Sequence, residues 1–572
     1  MEPLTGSPAL EELSTAYWET YLEVSPLFAT ALGDSRYDDR MPDTTPAGTA
    51  EARGRFEALL VQVEALDAAA LSPEDRITHS ALRESLAADI AERRTGLLGW
   101  NVDPIDGVPA ELLAVPDYQP LETPDDGERM VARWRAMARH TDAHLETLRR
   151  SLADGQVACS PPMLRTVAIL EDLLDADVST WPLMDPARES TAIAAWSTSE
   201  RERFVGALRE AVEGEIRPAF VRLHDALVTE IVPSARPDDA PGMCAVPGGP
   251  DGYRHLIRMH TSLEVDAATL HRTGLEQIER IDAELTELGG RVLGLKGHAE
   301  ALAALQGDPS LYFTSREGVY AKAAACLARA SEAAPDWFGR LPLAACEIVP
   351  MGAHEEDHVG AAYYRQPAAD GSRPGQYVIN TARPEARPHY EAEAMTYHES
   401  IPGHHLQVAL GQELHDLPEF RRHLGPTAYF EGWGLYAERL ADEMGLYTGD
   451  IDRLGLISFD AWRAARLVVD TGIHAIGWSR QQAIDFLLAH TALTAANAAD
   501  EVDRYIVLPG QALAYKTGQL ELLRLRADAE AAMGDAFDIR GFHDVVLGGG
   551  ALPLPTLATV VAEWASRRLT PA

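Results

Sequence analysis

The sequence predicts a mainly α-helical protein, and three observations carry that expectation. Ala, Leu, Glu and Arg, all strong helix formers, dominate most of the 572 residues. Apolar residues recur at three- and four-residue spacing, as in LEQIERIDAELTELGGRVLGL, which lines one face of a helix. Strand-like patterning is confined to one short stretch, residues 342–382.

In chain order, helical blocks are expected near 8–33, 48–95, 127–154, 188–231, 262–296 and 315–333. They resume at about 386 and continue to the end, separated by short breaks containing Pro and Gly. Residues 233–252, PSARPDDAPGMCAVPGGPDG, read as a linker or surface loop. Within 342–382, AAYY at 361–364 and GQYVINT at 375–381 flank a turn-like DGSRPG and read as a small strand pair. No repeat of fixed period occurs, which argues against a helical solenoid. No composition shift marks separate domains, so residues 1–572 are expected to form one two-lobed unit with residues 340–560 as its functional core.

Hydrophobic residues at 46% and charged residues at 24% are ordinary for a globular chain. Fifty Lys and Arg face 88 Asp and Glu, a formal net charge of −38. Such a surface repels phosphate backbones and anionic lipid heads, so neither nucleic acid nor membrane is an expected partner. The four cysteines lie far apart without CxxC spacing, which fits a reducing compartment. The first residues show no cationic segment followed by an apolar core, and a cytoplasmic location is expected. Oligomeric state is not readable.

The informative segment is PHYEAEAMTYHESIPGHHLQ, residues 388–407. In the usual zinc-hydrolase helix, two histidines one turn apart reach the same ion, and the Glu after the first faces the water to be activated. Here the position four after His398 is Pro402, which cannot bind metal. The pattern recovers if Pro402 and Gly403 are looped out, because proline breaks the helix ladder and glycine tolerates the bulge. His404 then becomes the second ligand. His405, seven residues from His398, would face the same way in an unbroken helix but roughly 10 Å further along the axis, and is held in reserve.

A catalytic zinc site takes three protein ligands and leaves one position for water. AYFEGWGLYAERLADEMG, residues 428–445, offers Glu431 as the third ligand and Glu438, one heptad later on the same face, as its supporting acid. Glu399 is the expected general base. Residues 354–358, His-Glu-Glu-Asp-His, match the five-residue zinc pattern literally, yet their acidic centre and flanks read as a charged loop.

These motifs, together with FATALGDSRYDD near the start, LPGQALAYKTGQLELLRLR at 508–526 and FHDVVLGGGALPLPTL at 542–557, resemble a bacterial family catalogued as domain of unknown function 885. That family is grouped with the gluzincin metallopeptidases. The resemblance implies a helical, clam-like fold similar to thimet oligopeptidase, angiotensin-converting enzyme and thermostable carboxypeptidases. A channel would run between two lobes, and a short β-element would lie beside the metal helix.

By the same resemblance the strand around Tyr377–Asn380 would pair with an extended peptide, or serve as a structural hairpin. Tyr515, Lys516 and His543 become candidates to hold the oxyanion, with Tyr515 preferred and His543 second, against simple packing roles. The implied activity is Zn²⁺-dependent hydrolysis of amide bonds in short peptides, by dipeptidase, carboxypeptidase or oligopeptidase action. A metal-dependent hydrolase of a small non-peptide amide, and a catalytically silent peptide-binding protein, stand as alternatives.

Overall fold

The computed structural model describes residues 7–352, 356, 360–368, 371 and 373–568. Its helices begin where sequence chemistry allows. The first, α1 (Pro8–Val24), opens on a proline, whose missing N–H falls among donors that lack helical partners anyway. α2 (Pro73–Arg94) adds a Ser72 cap whose hydroxyl accepts from the Asp75 N–H at 3.1 Å. α3 (Pro124–Ala153) starts on a reciprocal capping box between Thr123 and Asp126. The expected block at 262–296 is α4 (Ala267–Leu293). Helices at Ser160–Asp175, Gly249–Thr261 and His298–Gly307 fall outside the expected blocks.

The 233–252 segment is a packed connection that runs into the Gly249–Thr261 helix. Arg236 is buried, and its guanidinium donates to the Val157, Ala240 and Gly242 carbonyls.

Three strands form one sheet: β1 (Cys346–Pro350), β2 (Ala362–Arg365) and β3 (Gly375–Ile379). The expected antiparallel pair is present, with Tyr364 opposite Tyr377. The sheet also holds a parallel strand the sequence did not announce, and its order is β1-β3-β2. This corrects the expectation that residues near Tyr377 offer a free edge to a peptide. β3 is the middle strand, with its backbone groups used on both sides.

Beyond the sheet the chain turns through α5 (Ala392–Glu399), α6 (His404–Gln412), α7 (Thr427–Glu443), α8 (Asp450–Thr471) and α9 (Leu513–Met533). One apolar core joins α7 and α9 to the N-terminal helices through Tyr17, Leu86, Trp433, Tyr436 and Leu522. A second fills residues 102–231, and a third joins α4 to α8. Among the described residues no helix is long and apolar enough to cross a membrane.

The packing of α7 on α9 sets the position of Glu431. A Cβ on Gly518 would lie 2.0 Å from the Ala428 carbonyl oxygen, and one on Gly432 would lie 2.4 Å from the Gly518 Cα. The two backbones therefore touch. Gly518→Ala gains about 1 kcal/mol of helix propensity but overpacks this contact at a cost of about 1–3 kcal/mol or more. A net loss of stability in urea denaturation is expected. Gly206→Ala, at an exposed helix position with nothing within 4 Å, is expected to stabilise by about 0.5–1 kcal/mol.

Candidate metal centre

α5 ends at Glu399, the chain turns through Ser400–Gly403, and α6 begins at His404. The expected bulge is thus a complete break between two helices. Gly403 has an ordinary φ of −81°, so left-handed freedom is not what requires glycine there. Space is the reason, because a Cβ would lie 1.9 Å from the His398 carbonyl oxygen. α5 is anchored by buried Glu393, which accepts from the Thr448 hydroxyl at 2.6 Å and pairs with Lys322 and Arg329 at 3.3 and 3.4 Å.

The break brings His398 and His404 together with Glu431 of α7. Nε2 of His398 and Nε2 of His404 lie 3.5 and 3.6 Å from the same oxygen, Oε2 of Glu431. The three ligand atoms all lie within 4.8 Å of one another, and the two rings stand at 86° to each other. Ligands of a tetrahedral zinc are about 3.3 Å apart, so the set fits that ion after small side-chain shifts.

His398 is oriented from behind. Its Nδ1–H donates to Glu438 at 2.8 Å, which turns Nε2 toward Glu431, where it would bind a metal once its proton is lost. Burial opposes charge on this ring, but hydrogen bonding to Glu431 and Glu438 outweighs it and holds the imidazole up at about 10. Burial likewise opposes charge on Glu431, yet the two histidines keep that carboxyl well below its usual range. The two carboxylates and the buried imidazoles thus stabilise one another's charged forms, and the same atoms could hold a metal ion.

Gly434, one turn after Glu431, makes room for the His398 ring. A Cβ there would lie 2.5 Å from His398 Cε1. Gly434→Ala is therefore expected to displace the imidazole, read as a shift of the His398 ring resonances by NMR, with the helical circular-dichroism signal retained.

The remaining candidates are placed as follows. His405 faces the sheet side: its Nε2–H donates to the Ala344 carbonyl at 3.0 Å and its Nδ1 accepts from the Tyr364 hydroxyl at 3.1 Å. Both nitrogens are used, and burial pushes the ring down to about 4. His543 is packed against Phe338 and Trp433. Its Nδ1–H donates to the Trp337 carbonyl at 2.8 Å, and its Nε2 accepts from the Tyr436 hydroxyl at 2.9 Å. With both nitrogens engaged in the core, it has none to give an oxyanion.

Lys516 is buried against Asp460 at 2.5 Å and Gln519 at 2.7 Å, a packing role. Tyr515 differs. Its hydroxyl accepts only a long 3.4 Å hydrogen bond from Gln511, and burial together with the Glu431 charge raises it above the ordinary phenol value. It stays protonated and able to donate. Glu399, half-buried, makes no hydrogen bond or ion pair with any described residue. The His354–His358 segment lies outside the described residues except for Glu356, which pairs with Arg316.

A second trio, Asp282, His298 and His490, escaped sequence reading because its members are far apart and carry no motif. His490 Nδ1 and Asp282 already share a 2.9 Å hydrogen bond. A cavity of about 670 Å³ lies elsewhere, lined by residues such as Tyr21, Asp89, His140 and Leu508. None of His398, His404 and Glu431 lines it. The trio is reached instead through the side-chain surfaces of His404 and Glu431, 13% and 21% exposed.

The whole architecture is shared with solved structures. A candidate lipoprotein from Colwellia psychrerythraea superposes with a TM-score of 0.91 at 25% identity, over 98% of this chain and 99% of that one. A candidate lipoprotein of unknown function from Shewanella oneidensis superposes at 0.74 with 16% identity, over 97% and 100%, and is similar in fold. No curated protein matches the chain. The family described as "Bacterial protein of unknown function (DUF885)" matches residues 26–561, nearly the full length, and this chain belongs to that family.

Proposed function

We propose that the chain is a zinc-dependent hydrolase that cleaves amide bonds of short peptides. One observation carries this reading: His398, His404 and Glu431 converge from three helices with their ligand atoms within 4.8 Å, and Glu438 fixes the tautomer of His398. Two imidazoles and one carboxylate leave an open position, the composition of catalytic rather than structural zinc. A zinc ion held there would supply Lewis acidity, lowering the pKa of a water and polarising a carbonyl.

The chain's own groups do the rest. Glu399, directly after His398 and without a hydrogen-bond or ion-pair partner among the described residues, takes the proton of the attacking water and passes it to the leaving amine. Tyr515 donates its hydroxyl to the oxyanion as it forms. A two-lobed, clam-like metallopeptidase arrangement and a cytoplasmic location belong to the same proposal, and four free thiols fit the latter. The test is digestion of an unbiased peptide library by zinc-replete protein, read by mass spectrometry. Chelator-sensitive cleavage is expected. A zinc-loaded chain that cleaves nothing would refute the proposal.

A further inference from the structure

α8 carries two arginines, Arg463 and Arg466, three residues apart and therefore on one face. Arg463 is 7% exposed and makes no hydrogen bond or ion pair with any described residue. Its Nε and Nη1 donors are buried and unmet. It is held by ring faces alone, 4.2 Å from the Phe459 centroid and 4.4 Å from that of Trp462. Arg466 is 2% exposed and donates to the Tyr505 hydroxyl and Glu501, yet its Nη1 also has no acceptor.

Buried guanidinium donors without acceptors are strongly disfavoured, and a chain with 88 acidic residues does not lack carboxylates to place there. The absence of a partner therefore points to one that arrives from outside.

The location says what arrives. Glu438, which holds His398, is the leading negative charge acting on Arg463 after burial itself. Arg466 lies 4.3 Å from the ring centroid of Tyr515, and that phenol in turn feels the Glu431 charge. α8 packs against α5, α7 and α9, the helices that carry His398, Glu431 and Tyr515, so both arginines lie on a helix that borders the candidate metal centre. The planar guanidinium fork matches a carboxylate through two parallel hydrogen bonds. We infer that Arg463, backed by Arg466, is a subsite for a free carboxylate of the substrate close to the bond cleaved. Preferred substrates are then dipeptides, acylamino acids or peptide C-termini rather than internal bonds of long chains. The cleavage part of this inference rests on the hydrolase reading above; the binding part does not.

The experiment compares N-acetyl-Ala-Ala with its C-terminal amide on the full chain. Binding is measured by calorimetry in the Glu399→Gln background, and hydrolysis in the otherwise wild-type chain. The acid is expected to bind roughly 10- to 100-fold more tightly than the amide, as for hydrogen bonds to charged groups. Arg463→Gln should erase that preference and Arg463→Lys should restore part of it. With no hydrogen bond or ion pair to a described residue, and only its ring contacts with Phe459 and Trp462 to lose, Arg463→Gln should also keep its zinc and melt close to wild type. Equal binding of acid and amide, no binding of either, or a preference that survives Arg463→Gln would overturn the subsite. So would a sharp fall in melting temperature, which would make Arg463 a structural counter-charge to Glu438. If the acid binds selectively but neither peptide is cleaved, the subsite stands and the hydrolase reading fails.

Discussion

Glu399→Gln is expected to lower turnover by about 10²–10⁴-fold while leaving zinc content and peptide affinity near wild type. Glu399 is the last residue of α5, directly after His398, and its carboxylate makes no hydrogen bond or ion pair with any described residue. Glutamine preserves size and polarity but cannot accept a proton. Because the residue is not one of the three that converge, removing its charge should not release metal. Zinc by elemental analysis, affinity by calorimetry and turnover by chromatography separate the outcomes. Turnover within a factor of a few of wild type would exclude Glu399 as the base. Loss of zinc together with turnover would make it a ligand.

The second large effect concerns the two acids of α7, which are expected to differ in degree. Glu431→Ala removes the oxygen that lies 3.5 and 3.6 Å from the two imidazole Nε2 atoms, so zinc should be lost outright at micromolar metal. Glu438→Ala leaves the three ligand atoms but strips His398 Nδ1–H of its 2.8 Å acceptor. A supporting acid of this kind is typically worth about 10- to 100-fold in metal affinity. Titration of both variants with zinc against a competing chelator reads this order. Equal losses, or a larger loss in Glu438→Ala, would reassign the two carboxylates.

Much of this was legible in the sequence because it is local. Alternation in AAYY and GQYVINT gave away β2 and β3, and helix formers with Pro-led starts marked the main helices. The Pro402–Gly403 break showed in residue types alone, since no helix continues through it. β1 was silent because CEIVP is short and ends in proline, and its partner β3 begins only at Gly375, far along the chain. His543 illustrates the other limit. Its type and setting suggested an oxyanion donor, but its neighbours, the Trp337 carbonyl and Tyr436, come from distant segments.

Arg463 escaped for the same reason. Nothing in AWRAARLVV marks it out, and only the assembled fold shows its Nε and Nη1 buried without an acceptor among the described residues. The spacing around Pro402–Gly403 already preferred His404 to His405, and the fold places His404 beside Glu431 and His405 against Tyr364 and the Ala344 carbonyl.

The most direct measurement is a crystal structure of the zinc-soaked protein with an anomalous difference map at the zinc edge. A peak is expected within about 2.0–2.2 Å of His398 Nε2, His404 Nε2 and a Glu431 oxygen. His405 should remain bonded to Tyr364 and the Ala344 carbonyl. No peak at that point, or one bound instead by His405 or by the His354–His358 segment, would contradict the assignment.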